Sequence, residues 1–279
     1  MKILHDNYGK SRVRLVKIAR HDDRHDLQSL TLNIALEGDF EAIHRAGDNS
    51  LCLPTDTMKN TVYALAGQKD GVEQIEDFGR RLCSHFLDNN PHVSQATVDI
   101  SEHAWKRMKF DGEAHPHAFV RGSRERRTAR IVSSRDATTV EAGVDELTVL
   151  KSAQSGFVGF IKDAYTTLPE VTDRILATSV KAHWRYRDAD AATDDAWNGI
   201  RRCILKTFAD HDSLSVQHTL YAIGEAVLDE FAEIDEIAFS LPNIHCLPVD
   251  ITKFGLEDKN CIFIPTDEPH GLIEARIAR

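Results

Sequence analysis

The chain has 279 residues, 42% of them hydrophobic and 28% charged, with a formal net charge of −10. That is enough chain for one large or two ordinary domains with real cores, and too apolar for wholesale disorder. The acidic balance excludes a whole-protein basic field for nucleic acid, and no apolar run is long enough to span a bilayer.

The elements read as two halves with one order. "SRVRLVKIAR" (Ser11–Arg20) alternates with period two and predicts a strand. "LQSLTLNIALEGDF" (Leu27–Phe40) is the next strand, with Leu30, Leu32, Ile34 and Leu36 on one face. A polar loop leads to "LPTDTMKNTVYA" (Leu53–Ala64), which begins as a loop and continues at helical spacing. "GVEQIEDFGRRLCSHFLD" (Gly71–Asp88) carries Val72, Ile75, Phe78, Leu82 and Phe86 at helical spacing. "VSQATVDISEHAWKRM" and "AFVRGSRERRTARIVSS" then predict two long strands. The basic run "RGSRERRTARI" (Arg121–Ile131) within the second reads as a solvated strand face.

From about residue 138 the order repeats. "ELTVLKSA" and "LATSVKAHWRYRDAD" are strands, "DAWNGIRRCILKTFADH" is a helix, and "SLSVQHTLYAIGEAVLDEFAE" is a second helix with Ser213 or Ser215 as N-cap. "IDEIAFSLPNIHCLPVD" and "NCIFIPTDEPHGLIEARIAR" are closing strands. Two antiparallel sheets, each with a helix pair on one face, make an α+β architecture. The uncovered sheet faces call for oligomerisation.

Five widely spaced cysteines (Cys52, Cys83, Cys203, Cys246, Cys261) form no C-x-x-C pair, which disfavours a disulfide framework or a thiolate zinc site and fits a reducing compartment. "MKILHDNYGK" has no signal-peptide core. The ending "EARIAR" is not a Ser-Lys-Leu address. Cytoplasm is the expected location.

The run "HDDRHD", with His21, Asp22, Asp23 and His25, has the composition of a metal cluster. It follows a strand and reads as a turn, and zinc needs three or four converging ligands. His115 and His117 carry no more. No dinucleotide, Walker or nucleophile-elbow motif occurs. Four places remain. Lys10 falls just before the first strand. Thr55 and Asp56 fall at a helix start, where capping accounts for them. Asn243 and His245, two apart, share a strand face. Gln217 lies in the first turn of a helix. Singly, each is ordinary.

Together they resemble one family. The segments "NYGK", "RLVKIAR", "GDFEAIHRAGDN", "TDTMKNTVYA", "LTVLKS", "DAYTTLPEVTDRILATSVKAHWRY", "SVQHTLY" and "SLPNIH" are similar, in order and spacing, to urate oxidases (uricases) from near the start of the chain to its last strand. The resemblance implies two tandem tunnelling-fold (T-fold) domains, 1–137 and 138–279, each an antiparallel four-stranded sheet with two helices on one face. It implies a homotetramer with active sites at subunit interfaces, and the oxidation of urate by O2 and water to 5-hydroxyisourate and hydrogen peroxide with no metal or organic cofactor. By the same resemblance, Lys10, Thr55 and His245 form the catalytic relay. Arg174 and Gln217 clamp the substrate, Phe157 stacks on it, the N–H groups of Asp56 and Val216 add donors, and Asn243 with Thr55 holds oxygen or water. Lys10, Thr55 and Asp56 come from one chain and the clamp from a neighbour. Gly156 and Val158 stand where bulkier residues are common, which is expected to loosen the pocket. The alternative is a non-catalytic purine-binding protein or a pterin-type enzyme of the same fold.

Overall fold

The computed structural model describes residues 1–279. It divides into two compact units, Met1–Gly143 with Arg185–Trp197, and Val144–Trp184 with Asn198–Arg279.

The first unit runs β1 (Tyr8–Arg20), β2 (His25–Gly38), α1 (Glu41–Ala46), α2 (Thr55–Gly67), α3 (Ile75–Asn89), β3 (Val93–Phe110) and β4 (Glu113–Ser134). The predicted order of strands and helices is present, with α1 added. That short helix buries none of its residues, so no apolar stripe announces it. The strands pair antiparallel in sequence order. Leu30, Leu32, Ile34 and Leu36 of β2 are all buried, as the alternation requires. α3 lies across β3 and β4, burying Phe78, Leu82 and Phe86 on it beside Val98, Ile100 and Ile131 of the strands. Each such side chain contributes about 1.5–3 kcal/mol of transfer free energy. The helix lies so close that a Cβ at Gly79 would sit 2.4 Å from Ile131 Cδ1. Val72, expected on the α3 stripe, precedes the helix and is exposed. The first four residues of the "HDDRHD" run are the β1–β2 turn, closed by His21 N–H donating to the Arg24 carbonyl at 2.9 Å, and His25 and Asp26 begin β2.

Lys10 lies inside β1 rather than before it. Tyr8, Gly9 and Lys10 pair with Leu36, Ala35 and Ile34, a ladder made by a distant strand that the local sequence does not signal. The register then shifts between Lys10 and Val13. Arg12 takes φ 58° there, and its N–H donates to Asn33 Oδ1 at 2.8 Å. This is a β-bulge, which bends a strand and re-aims its side chains.

The basic run on β4 is not wholly a solvated face. Arg127 turns inward, donates to Glu76 at 2.7 Å and to Asp194, and lies over the Trp197 ring at 5.2 Å. Trp197 Nε1–H donates to the Gly143 carbonyl at 2.9 Å. Burial pushes the Glu76 carboxyl pKa up, and Arg127 pulls it back.

The second unit takes the later part of β5 (Thr138–Lys151) and most of β6 (Leu176–Tyr186) and α4 (Asp194–Asp210), then α5 (Val216–Glu230), β7 (Ile234–Pro248), β8 (Phe263–Thr266) and β9 (Leu272–Ala278). α5 packs on β7 and β9. It buries Leu220, Ile223 and Val227, and Ile237 and Phe239 are buried on β7. Ser215 caps α5 through its side chain, which accepts from His218 N–H. The closing strand expected over Asn260–Arg279 is two strands on the same partner. β9 pairs with Glu236–Pro242 and β8 with His245–Pro248 of β7. The residues between them leave the sheet, and Asn243 N–H donates to Gly271 O at 2.8 Å in the gap. No helix is long and apolar enough to cross a membrane.

Glu76 is 1% exposed, so removing its partner strands a buried charge. Arg127→Ala is expected to cost about 3–5 kcal/mol in denaturant unfolding. The double variant Glu76→Leu/Arg127→Met is expected to recover most of that loss.

Candidate active site

The cleft of the second unit has a volume of about 630 Å³, and Arg174, Asn243 and His245 line it together with Asp173, Cys246 and Cys261. Asn243 and His245 share a face of β7, as the spacing predicts. Asn243 Nδ2 lies 3.4 Å from His245 Nδ1. An amide nitrogen only donates, so His245 Nδ1 accepts and Nε2 carries the hydrogen of the neutral ring.

Arg174 is placed by backbone bonds. Its N–H donates to Ser155 O at 2.7 Å, and Phe157 and Val171 exchange N–H to O bonds of 2.7 and 3.1 Å. Ser155 N–H also reaches Asp173 Oδ1 at 3.3 Å. The arginine side chain then lies over the Phe157 ring, with Cζ 5.4 Å from the centroid. Two buried polar atoms here have no protein partner, Ser155 Oγ and Arg174 Nε. Burial alone pulls the Arg174 pKa below the ordinary arginine value. A guanidinium N–H held out of water without an acceptor carries an uncompensated desolvation cost. Phe160 lies parallel to Phe157, with ring centroids 4.9 Å apart and an interplanar angle of 11°.

Gly156 tightens this segment instead of loosening it. A Cβ there would meet Thr172 O at 2.9 Å and Val171 O at 3.3 Å. Gly156 N–H donates to Ser213 O at 2.8 Å, tying the segment to the residues that precede α5. Val216 and Gln217 open that helix, Val216 buried and Gln217 exposed. Neither they nor Phe157 line the cleft itself; they flank it through Gly156 and Arg174.

Lys10, Thr55 and Asp56 lie in the first unit. Thr55 and Asp56 do not cap α2. The N-cap is Pro54, with no side-chain hydrogen bond, so Thr55 and Asp56 are the first two helical residues. Asp56 is turned along its own helix, its carboxylate accepting from Lys59 and, at 3.0 Å, from Asn60. Its backbone N–H belongs to the first turn, whose N–H groups have no intrahelical acceptor. Lys10 adds to the pull that lowers the Asp56 pKa, behind the larger effect of Lys59. Tyr8 escaped the sequence reading although it sits in "NYGK". Its hydroxyl oxygen accepts from Leu53 N–H at 2.8 Å, and its ring meets Phe40 edge-on at 4.8 Å. Gly9 permits the close pairing of β1 with β2 beside it, since a Cβ there would lie 1.7 Å from Ile34 O.

The Uricase family model matches residues 6–132 and 140–274. A uricase of Arthrobacter globiformis is 45% identical over 274 residues, 98% of this chain and 89% of the relative; one of Danio rerio is 38% identical over 285 residues, 100% and 95%. The crystal structure of the uricase from Arthrobacter globiformis superposes with a TM-score of 0.94 at 44% identity, over 100% of this chain and 95% of that one. The scaffold is that of a tandem tunnelling-fold enzyme. The chain belongs to the uricase family.

Burial, then the neighbouring Cys52, pushes the Tyr8 phenol up to about 12. An unfolded tyrosine titrates near 10. The folded state therefore holds its proton longer, and this contribution to stability is complete below about pH 10 and lost as pH rises toward 12. In an ultraviolet phenolate titration Tyr8 should ionise late, and Tyr8→Phe should remove one late-titrating phenol.

Proposed function

We propose that the chain oxidises urate with O2 and water to 5-hydroxyisourate and hydrogen peroxide, working without metal or organic cofactor, with the site residues in the roles that follow. The observation that carries this reading is the unsatisfied, buried Nε–H of Arg174 over the Phe157 ring, in a cleft shared with Asn243 and His245. Urate is a flat purine that becomes electron-rich once doubly deprotonated, and a planar guanidinium fork suits it. Gln217 presents a donor and an acceptor to the alternating edge of the ring, and the free Val216 N–H at the α5 start adds a donor.

The remaining task is proton transfer beside a triplet oxidant. Thr55 and Lys10 take the proton from bound urate, which leaves the dianion able to give up one electron to O2 and then a second. Hydrogen peroxide leaves, and water adds at the carbon that has lost electron density. Asn243 and Thr55 hold O2 and then that water above the ring. His245, its Nδ1 turned to Asn243, exchanges the water proton through Nε2. The Asp56 N–H meets the five-membered ring.

In this reading Lys10, Thr55 and Asp56 of one chain complete the cleft of a neighbour within a homotetramer. Val16, Ile18 and Tyr63, all exposed around a surface groove of the first unit, support a covered face there. The pause of the family match between residues 132 and 140 supports a division into tandem domains at 137/138. Five free cysteines support a cytoplasmic location.

Purified protein with urate and chelator should consume O2 and bleach the near-ultraviolet band of urate; no turnover refutes the reading. Lys10→Ala and Thr55→Ala should each lose about 10²–10⁴ in kcat with assembly intact. Arg174→Ala should lose substrate affinity. Co-refolding inactive Lys10→Ala chains with inactive Arg174→Ala chains should restore part of the activity, because some sites then receive both native halves. No recovery in the mixture means that the site lies within one chain.

A further inference from the structure

Beneath the first turn of α5 runs a file of side-chain hydrogen bonds that the reaction itself does not touch. His211 Nδ1 is 3.1 Å from Thr219 Oγ1, Thr219 Oγ1 is 2.7 Å from Ser213 Oγ, and Ser213 Oγ is 3.0 Å from Ser215 O. Ser213 and Thr219 are 0% and 2% exposed, so water does not substitute for either partner. The direction of every proton follows from one end. Ser215 O only accepts, so Ser213 Oγ–H donates to it. Ser213 Oγ then accepts from Thr219 Oγ1–H. Thr219 has given its hydrogen and accepts from His211, whose Nδ1 therefore carries one.

The file ends on the carbonyl that starts the helix. Ser215 O also takes the first helical bond of α5, from Thr219 N–H at 3.1 Å. On its other side Ser213 is bound by its backbone, its N–H to Gln154 O at 2.9 Å and its O to Gly156 N–H at 2.8 Å. All three polar groups of Ser213 are thus committed. Two hold the segment that bears Phe157, and one holds the helix start that bears the Val216 N–H and Gln217. His211 is itself anchored, its carbonyl accepting from Lys151 and its ring packed edge-on against His218 at 4.3 Å.

We propose that the His211–Thr219–Ser213 file sets the spacing between the aromatic face at Phe157 and the amide edge at Val216 and Gln217, with Thr219 and Ser213 as positioning residues for the bound purine anion. This rests on the urate reading of the site. Removing the Thr219 hydroxyl leaves the half-buried His211 Nδ1–H without this acceptor and a buried Ser213 lone pair unpaired, so the side chain that joins the helix start to the Phe157 segment loses one of its restraints. Lys10, Thr55 and His245 stand on other elements, so the loss falls on binding and spares the proton transfers.

Thr219→Val keeps the shape and deletes the hydroxyl; Thr219→Ser keeps the hydroxyl and deletes a methyl. In steady-state urate oxidation by the assembled protein, Thr219→Val is expected to raise KM about tenfold with kcat within about threefold, the size of one buried hydrogen bond. Calorimetric binding of xanthine, a non-reacting purine probe, should weaken by the same factor. Thr219→Ser should stay within about twofold of the parent in both. The proposal is overturned if Thr219→Val keeps the parental KM and xanthine affinity, if Thr219→Ser loses as much as Thr219→Val, or if kcat falls with KM unchanged. Should Thr219→Val fail to assemble, Ser213→Ala breaks the same file one bond further on, with the same expected KM rise and the same refuting result. A parent chain that binds xanthine without consuming urate refutes the substrate reading instead, and the xanthine affinities still decide the role of the file.

Discussion

Three backbone hydrogen bonds around Ser155–Phe157 decide where the chemistry of the cleft can sit. Gly156 N–H reaches Ser213 O, Phe157 N–H reaches Val171 O, and Arg174 N–H reaches Ser155 O. The segment belongs to no extended strand, only to single bridges, Ser155 to Ser213 and Phe157 to Val171. Its position is therefore set by its neighbours, and it sets theirs in turn. A residue with any side chain at Gly156 pushes this arrangement apart, because two carbonyl oxygens occupy that space. Once the segment is fixed, the Arg174 side chain follows, partly buried, with an N–H that no protein atom satisfies.

Arg127 and Arg174 show what satisfaction does to the same side chain. Arg127 is nearly enclosed, and Glu76, Asp194 and the Trp197 ring take up its charge. It is a structural cross-link. Arg174 has an aromatic face but leaves its Nε–H without an acceptor. In the proposed reading, the unfavourable solvation of that cation is relieved by the bound urate anion, which converts a desolvation penalty into affinity. Burial alone does not separate the two roles; the state of the donors does.

Much of the architecture was legible in the amino-acid order. Alternation marked β2, and Leu30, Leu32, Ile34 and Leu36 all proved buried. Ser215 was readable as a cap because its acceptor and donor lie three residues apart. Features created by distant partners were not legible. Lys10 is strand because Ile34 pairs with it, and nothing local to "NYGK" alternates. Thr55 looked like a cap because its type favours one, yet Pro54, with φ −58° and ψ 136°, already holds that position. Arg127 looked like a surface charge because Glu76 is 51 residues away. The roles at the site came from resemblance to a family. The residue types alone allowed a surface lysine, a helix start and a structural histidine; Ser213 read only as an alternative cap for α5, and the hydrogen bonds of Tyr8 and Thr219 with Leu53 and Ser213 are made by the fold.

The break between β8 and β9 has a bearing on how such a cleft changes over generations. β7 keeps its ladder with β9 over Glu236–Pro242 and with β8 over His245–Pro248, while the residues from Asp267 to Gly271 bridge the two outside the sheet. Lengthening such a loop carries a closure entropy that grows only with the logarithm of its length. Insertions there would reshape the cleft next to Asn243 while both ladders keep their register. The loop beside the cleft that is most open to drift is thus insulated from the core, so this lineage can vary the surroundings of Asn243 without first surviving a loss of folding.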